Sequence, residues 1–300
     1  MPRLFVTWLT GVVAALIASL AVAAPRSVRF DVPAGHEPVA DSLAANADAV
    51  YEEVSTQLGG APIADPPILV RVRFGEEAFQ AAMPGAGVAE WAAGVAFPEH
   101  GLVVLRVDAR THFTLADVFR HELAHIALAR AVGHRRLPLW FCEGLAVRQA
   151  GERLGQRFAQ TVDASLFDAL IPFAELSDGF PVGAGRADLA YAQSSAFVGH
   201  LLNKWGWNGM RTMLRRIRDG QPFEEAFRGT VGRSLVEVET AWRQQMAARA
   251  SWMPVILGSG LLVLTLGVFI AGGILKRRRA RRRLAELARE SPHQLDDEFA

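Results

Sequence analysis

The sequence of 300 residues is long enough for one large domain or two average ones. Apolar residues make up 51% of it and charged residues 21%, which predicts a folded chain and excludes disordered and low-complexity classes. The net charge of +1 argues against a polyanion-binding protein, and the single cysteine, Cys142, excludes an intrachain disulfide and a cysteine-built zinc finger.

The first apolar segment covers residues 1–23. A basic residue, Arg3, precedes an apolar run that ends at the small residues Ala21 and Ala23. This layout is typical of a secretory signal peptide cleaved after Ala23, and an uncleaved membrane anchor is the alternative. Both interpretations place the residues that follow outside the cytoplasm.

Residues 24–113 are predicted to form a strand-rich lobe. The segment 68–74, ILVRVRF, alternates between apolar and basic residues over its second half, as a strand with one buried face does. Helical periodicity is confined to about 38–58 and to 76–83. The four predicted strands are Val28–Val32, Ile68–Phe74, Gly94–Phe97 and Leu102–Val107.

Residues 114–252 are predicted to form successive helices with breaks at glycines, among them Gly133, Gly151, Gly206 and Gly220. Strands followed by helices predict an α+β fold, with a small N-terminal mixed β-sheet lobe and an α-helical C-terminal lobe. We expect the two lobes to form one extracytoplasmic domain over residues 24–252, and to meet near residue 114.

A candidate metal site lies in the first of these helices. Thr114 and Asp117 are spaced as a capping box, which predicts a helix from there to about Val132. Within it, the segment 121–125, HELAH, matches H-E-x-x-H. Residues four apart lie about 40° apart around a helix, so His121 and His125 can bind one ion. Glu122 is turned about 100° from His121 and can accept a proton from water beside that ion.

Zn²⁺ suits this donor set, because it accepts imidazoles and a carboxylate in a tetrahedron and keeps one position open for water. The third donor is predicted to be Glu143, in a second helix that begins near Pro138 and packs antiparallel to the first. The alternative is a pair of structural histidines beside a solvated glutamate. Competing donors are His112, His134, His200 and Cys142, none of which has a histidine partner at helical spacing.

The segment 140–146, WFCEGLA, resembles the W-F-x-E-G-L-A motif of gluzincin metallopeptidases of the peptidase MA-like family. The resemblance covers residues 94–150 and, more loosely, 187–245. It implies that His121, His125 and Glu143 are the zinc ligands and that Glu122 is the general base. Seventeen residues separate His125 from Glu143, slightly fewer than in the best-known gluzincins.

The same resemblance bears on the substrate. Tyr191 lies in a segment similar to the tyrosine-bearing helix of related proteins, which implies that it stabilises the transition state, with His200 as the alternative. The strand at Gly94 corresponds to the G-A-M-E-N strand of aminopeptidases of this clan, but Phe97 stands where the glutamate that holds a free amino terminus would be. An exposed strand edge can instead pair with an extended peptide, which favours an endopeptidase, with Glu99 as a remaining candidate for amine binding.

A second apolar segment, Pro254–Leu275, has 22 residues and no charge. At about 1.5 Å per residue it extends roughly 33 Å, enough for the ~30 Å core of a bilayer. The basic run Lys276–Arg283 follows, and the positive-inside rule places it and the tail, residues 276–300, in the cytoplasm. This position explains the basic run without a nucleic-acid partner.

The sequence therefore predicts a single-pass, zinc-dependent endopeptidase that cleaves extracytoplasmic polypeptides. An inactive, metal-stabilised scaffold at the outer face of the membrane is the main alternative, and hydrolysis of a non-peptide amide or ester is another. An intact Glu122 favours an enzyme, because a scaffold does not need a general base.

Overall fold

A computed structural model of the protein describes residues 27–85, 92–109, 113–151 and 169–290. It contains one small sheet and is otherwise mostly helical. The strands are β1 (Val28–Asp31), β2 (Ile68–Arg73), β3 (Gly94–Phe97) and β4 (Leu102–Arg106), and the helices are α1 (Glu37–Ala44), α2 (Ala47–Leu58), α3 (Glu76–Ala81), α4 (Leu115–Ala131), α5 (Leu139–Ala150), α6 (Ala184–Arg218), α7 (Phe223–Val231) and α8 (Leu235–Glu290).

The sheet has the strand order β1-β2-β4-β3. Strands β1, β2 and β4 run parallel, and β3 pairs antiparallel with β4, with Gly94 opposite Leu105. Strand β3 is therefore an edge strand. The prediction of a small mixed sheet in this half of the chain is confirmed.

Alternation along β2 explains why helices cover one face of the sheet. Ile68, Val70 and Val72 are fully buried, while the residues between them are half-buried. The three buried side chains belong to the same apolar cluster as Leu123 and Ile126 of α4. Burial of such aliphatic side chains, worth about 1.5–3 kcal/mol each, holds α4 against the sheet.

The predicted helix over residues 38–58 is two helices. The chain leaves the helical conformation at Asn46, which has φ −124° and precedes the first residue of α2. Asparagine is common at this capping position, although the Asn46 side chain makes no capping hydrogen bond here. Helix α2 then ends as expected at Gly59, in the left-handed conformation.

The helical half packs around an aromatic cluster. Trp140 of α5 lies at its centre, with ring centroids 4.7 Å from Phe173 and 5.4 Å from Phe197. Trp242 of α8 contacts the same two phenylalanines. Four separate segments therefore meet at the start of α5, which fixes the position of the helix that carries Glu143.

Helix α6 has a break at Gly206, where φ is 64° and the backbone is not helical. This glycine was one of the predicted helix breaks. The positive φ is a conformation that glycine adopts without the steric cost that a side chain would bring.

The structure describes the two predicted membrane-related segments to different extents. Residues 1–23, the predicted signal peptide, lie outside the described residues. Residues 254–275, the predicted span, have a helical backbone within α8, but the side chains of residues 249–265 and 267 are outside the described part. Among the residues that the structure describes, no helix is both long and apolar enough to cross a membrane.

Candidate metal centre

Helix α4 begins with a complete capping box. The Thr114 hydroxyl accepts a hydrogen bond from the Asp117 amide at 3.1 Å, and the Asp117 carboxylate accepts one from the Thr114 amide at 3.0 Å. These bonds satisfy amides that the first turn leaves without helical partners. They fix the start of the helix at Leu115, nearly two turns before His121, as the sequence predicted.

The two histidines of α4 face each other across one turn. The Nε2 atoms of His121 and His125 are 3.2 Å apart, and the rings are steeply inclined, at 71°. Burial lowers the pKa of His125 to about 4; the Glu143 carboxylate opposes this shift and His121 adds to it. His125 is therefore neutral at physiological pH, the form that binds a metal ion.

Helix α5 supplies a carboxylate to the same point. Oε2 of Glu143 lies 3.4 Å from Nε2 of His121 and 3.7 Å from Nε2 of His125. All three side chains are between 13 and 16% exposed. The structure thus brings together the three residues predicted as ligands, and they form a group that could hold a metal ion.

The dimensions of this group fit a tetrahedral ion. Zinc lies about 2.0–2.2 Å from nitrogen and oxygen ligands, so neighbouring donors of a tetrahedral site are roughly 3.3–3.6 Å apart. The donor separations here are 3.2, 3.4 and 3.7 Å. Two imidazoles and one carboxylate could therefore share a single ion with little movement.

The position of Glu143 along α5 is fixed by the loop that precedes α6. The amides of Leu139 and Trp140 donate to the carbonyls of Ser177 and Leu176, at 2.9 and 3.1 Å. Because these amides belong to the first turn of α5, the loop carbonyls take the place of a capping side chain. Glu143 follows one turn later.

A close approach between α5 and α6 depends on Gly144, the residue after Glu143. A Cβ atom at this position would lie 2.5 Å from the backbone oxygen of Ser194 and 2.8 Å from Val198. Only a residue without a side chain lets α6 pack this closely against α5. The close packing of α5 and α6 thus explains why the W-F-x-E-G-L-A motif has a glycine at this position.

Glu122 lies beside the three donor residues rather than among them. It is 8% exposed and is buried beneath the start of β3, where a Cβ atom at Gly94 would lie 3.0 Å from its Oε1 atom. The carboxylate therefore lies against the start of the edge strand, one residue along the chain from His121.

Arg120 holds this part of α4 in place. Its guanidinium donates to the Glu53 carboxylate of α2, at 2.6 and 3.0 Å, and to the backbone oxygen of Gln149 at the end of α5. The hydrogen bond from Arg120 lowers the pKa of Glu53, so the pair stays charged over a wide pH range. Arg120, one residue before His121, thus joins α4 to both α2 and α5.

The remaining candidates have other surroundings. Tyr191 packs its ring edge-on against Phe180, with the centroids 4.8 Å apart, and its role in catalysis stays a prediction. His200 lies between Phe197 and Trp205. His134 pairs with Glu99 at 3.2 Å, so the candidate amine-binding glutamate contacts the turn after α4.

Cys142 is not one of the three donors that the structure groups together among the described residues. Burial raises the pKa of its thiol to about 12, and the neighbouring Glu143 adds to the shift. The thiol is therefore protonated at physiological pH and packs against the apolar core. His112, the remaining competitor, lies outside the described residues.

The contact between Gly94 and Glu122 is the feature of the site that the sequence analysis missed. Gly94 was recognised as the start of a strand, but its contact with α4 was not predicted. A Cβ atom there would also lie 2.6 Å from Val118, so the strand can cross the helix only at a glycine. A glycine at the start of an apolar strand was the available signal.

These elements define the class of protein. An H-E-x-x-H helix, a glutamate donor from the next helix and an edge strand over the motif glutamate together form a metallopeptidase-type site. The family model for the Peptidase MA superfamily matches residues 54–248, and the chain belongs to this superfamily. The predicted resemblance is confirmed, and membership indicates a metal-dependent peptidase. A comparison with curated proteins gives no match.

Proposed function

We propose that the protein is a zinc-dependent endopeptidase whose metal ligands are His121, His125 and Glu143. The observation that carries the proposal is the triangle of donor atoms, whose sides of 3.2, 3.4 and 3.7 Å fit one tetrahedral ion. Zinc is favoured over harder cations because two of the three donors are imidazoles. When bound, zinc would supply the positive charge that acidifies a water molecule and polarises a carbonyl.

The chain's own residues supply the proton transfers. Glu122 accepts a proton from the attacking water as its oxygen forms the new C–O bond to the peptide carbonyl. It then delivers this proton to the nitrogen of the leaving amine as the C–N bond breaks. Its buried position supports this role, since burying a carboxylate costs stability that an inactive scaffold would have no reason to sacrifice. Tyr191 is proposed to hydrogen-bond to the negatively charged oxygen of the transition state.

The substrate is proposed to be an extended polypeptide lying along the outer edge of β3, the last strand of the described sheet. This strand pairs with β4 on one side, and its first residue covers Glu122. A peptide paired with this edge would bring its backbone past the proton acceptor. Phe97 stands where an aminopeptidase would hold the substrate's amino terminus, which supports endopeptidase activity.

Metal removal tests the proposed activity. Dialysis against a strong chelator is expected to abolish cleavage of internally quenched peptides, and one equivalent of Zn²⁺ is expected to restore it. A peptide with a blocked amino terminus should be cleaved as well as a free one. Cleavage that persists in protein shown to be metal-free would contradict the metal-dependent mechanism, and a requirement for a free amino terminus would contradict endopeptidase activity.

We further propose that the catalytic domain lies outside the cytoplasm and is anchored by residues 254–275. The sequence support is the uncharged apolar segment followed by seven basic residues within Lys276–Arg283, together with the signal-peptide pattern of residues 1–23. We expect the full chain to stay in the membrane pellet after alkaline carbonate extraction, and a chain truncated after residue 252 to be released in soluble form outside the cytoplasm. Extraction of the full chain by carbonate would contradict the anchor.

A further inference from the structure

A second site of a different kind lies at the C-terminal end of α4, beyond the two histidines. A cavity of about 460 Å³ opens where the ends of α2 and α4 meet the second half of α6. Its boundary includes Ala131, ten residues beyond His121. The nearer histidine, His125, is six residues from Ala131, or roughly 9 Å along the helix at about 1.5 Å per residue, and none of His121, His125 and Glu143 lines the cavity, so it is not part of the peptidase site.

Three arginines line this cavity. Arg211, Arg215 and Arg218 are spaced four and three residues apart, so they project from one face of α6. The other polar lining residues are the neutral Asn208 and Thr212, and none of the lining residues in the described part of the chain is acidic. Three positive charges therefore share one concave surface.

Only part of this charge is compensated by the protein. Arg211 donates to the Asn208 side chain and, at 3.4 Å, to the backbone oxygen of Gln57, and its stem lies against Gly59. Nε of Arg218 lies 3.7 Å from the carboxylate of Asp219. Arg215 is exposed, and its guanidinium group makes no hydrogen bond or ion pair with the described residues.

Favourable interactions with helix ends do not account for all three arginines. Basic residues stabilise the last turn of a helix, and Arg215 and Arg218 belong to the last turn of α6. Arg211 lies before that turn, and neighbouring like charges at this spacing repel each other. An anion between the guanidinium groups would remove the repulsion.

We propose that this cavity binds a phosphate-bearing anion. The guanidinium group matches a phosphate in shape and can donate two parallel hydrogen bonds to it. Three positive charges suit a multiply charged anion better than a single carboxylate. The volume is larger than one phosphate group and is in the range of small-molecule sites, so the ligand is a phosphate ester, either free or as a phospholipid headgroup.

The test compares two exposed arginines of the same helix. In neutral detergent at constant ionic strength, calorimetry of the full chain is expected to show saturable binding of pyrophosphate. Arg215→Gln should weaken it at least about tenfold, the loss expected for a charged hydrogen-bonding group. Arg186→Gln, which removes an equal charge outside the cavity, should leave it unchanged. The melting temperature of each variant in the absence of phosphate checks that the fold is intact.

A second arm distinguishes the two sources of the phosphate. The same proteins are titrated with glycerol 3-phosphate, and with detergent micelles that contain phosphatidylglycerol. A tenfold loss on Arg215→Gln with the free ester identifies a soluble ligand, and a loss with the micelles alone identifies a lipid headgroup. Either result supports the site. Equal binding by the wild type, Arg215→Gln and Arg186→Gln, or no binding at millimolar concentrations in both arms, would overturn the proposal.

Discussion

Replacing Glu122 with glutamine is expected to lower kcat for peptide cleavage by about 10³-fold or more while the metal stays bound. The amide has nearly the shape of the carboxylate but cannot accept the proton of the attacking water, and general base catalysis contributes about 10²–10⁴ in rate. Because Glu122 is buried and is not one of the three donors, metal affinity should hardly change. The measurements are kcat on a quenched peptide and metal content per chain.

Glu52→Gln is the matched control for this variant. Glu52 is an exposed glutamate of α2, so its replacement makes the same chemical change away from the site. We expect wild-type activity from it. If Glu122→Gln retained more than about a tenth of the wild-type kcat, Glu122 would not be the general base. If no variant and no wild-type preparation cleaved any peptide, the scaffold interpretation would be favoured.

Of the substitutions described here, Glu143→Gln is expected to have the largest effect on metal binding. It replaces an anionic donor that lies 3.4 and 3.7 Å from the two imidazole nitrogens with a neutral amide. Loss of a residue that merely supports a metal ligand costs about 10–100-fold in affinity, so loss of a ligand itself should raise the Kd for Zn²⁺ by roughly 100-fold or more. Competition with a chromophoric chelator measures this Kd.

The control for Glu143→Gln is Glu175→Gln, at an exposed position in the loop before α6. It lowers the negative charge of the chain equally, and its Kd for Zn²⁺ should match that of the wild type. An unchanged Kd in Glu143→Gln would show that the carboxylate is not a ligand. Glu143→Gln should also lose peptidase activity at limiting zinc and recover part of it at high zinc.

The candidate site was predictable because its parts are local in sequence. Helical spacing alone places His121 and His125 on one face, and a short turn after α4 returns the next helix alongside it. The proline and glycine signals around that turn fix where α5 begins, and Glu143 follows one turn later. Long-range information was needed only to orient the two helices, and the motif resemblance supplied it.

Features that depend on distant contacts were not predictable. The placement of β2 between β1 and β4 and the crossing of Gly94 over Glu122 come from packing between segments more than 25 residues apart. The break at Asn46 was missed because the apolar periodicity runs on through it. The cavity lined by Arg211, Arg215 and Arg218 lies where α2, α4 and α6 meet, and no pattern in the sequence indicates that these helices meet there.

The most direct test of the metal centre is anomalous diffraction at the zinc edge from crystals of the zinc-loaded protein. We predict a single strong peak about 2.0–2.2 Å from Nε2 of His121, Nε2 of His125 and a carboxylate oxygen of Glu143, with Glu122 outside the ligand set. A peak at other residues, or a Glu143 carboxylate turned away from both imidazoles, would contradict the proposed mechanism.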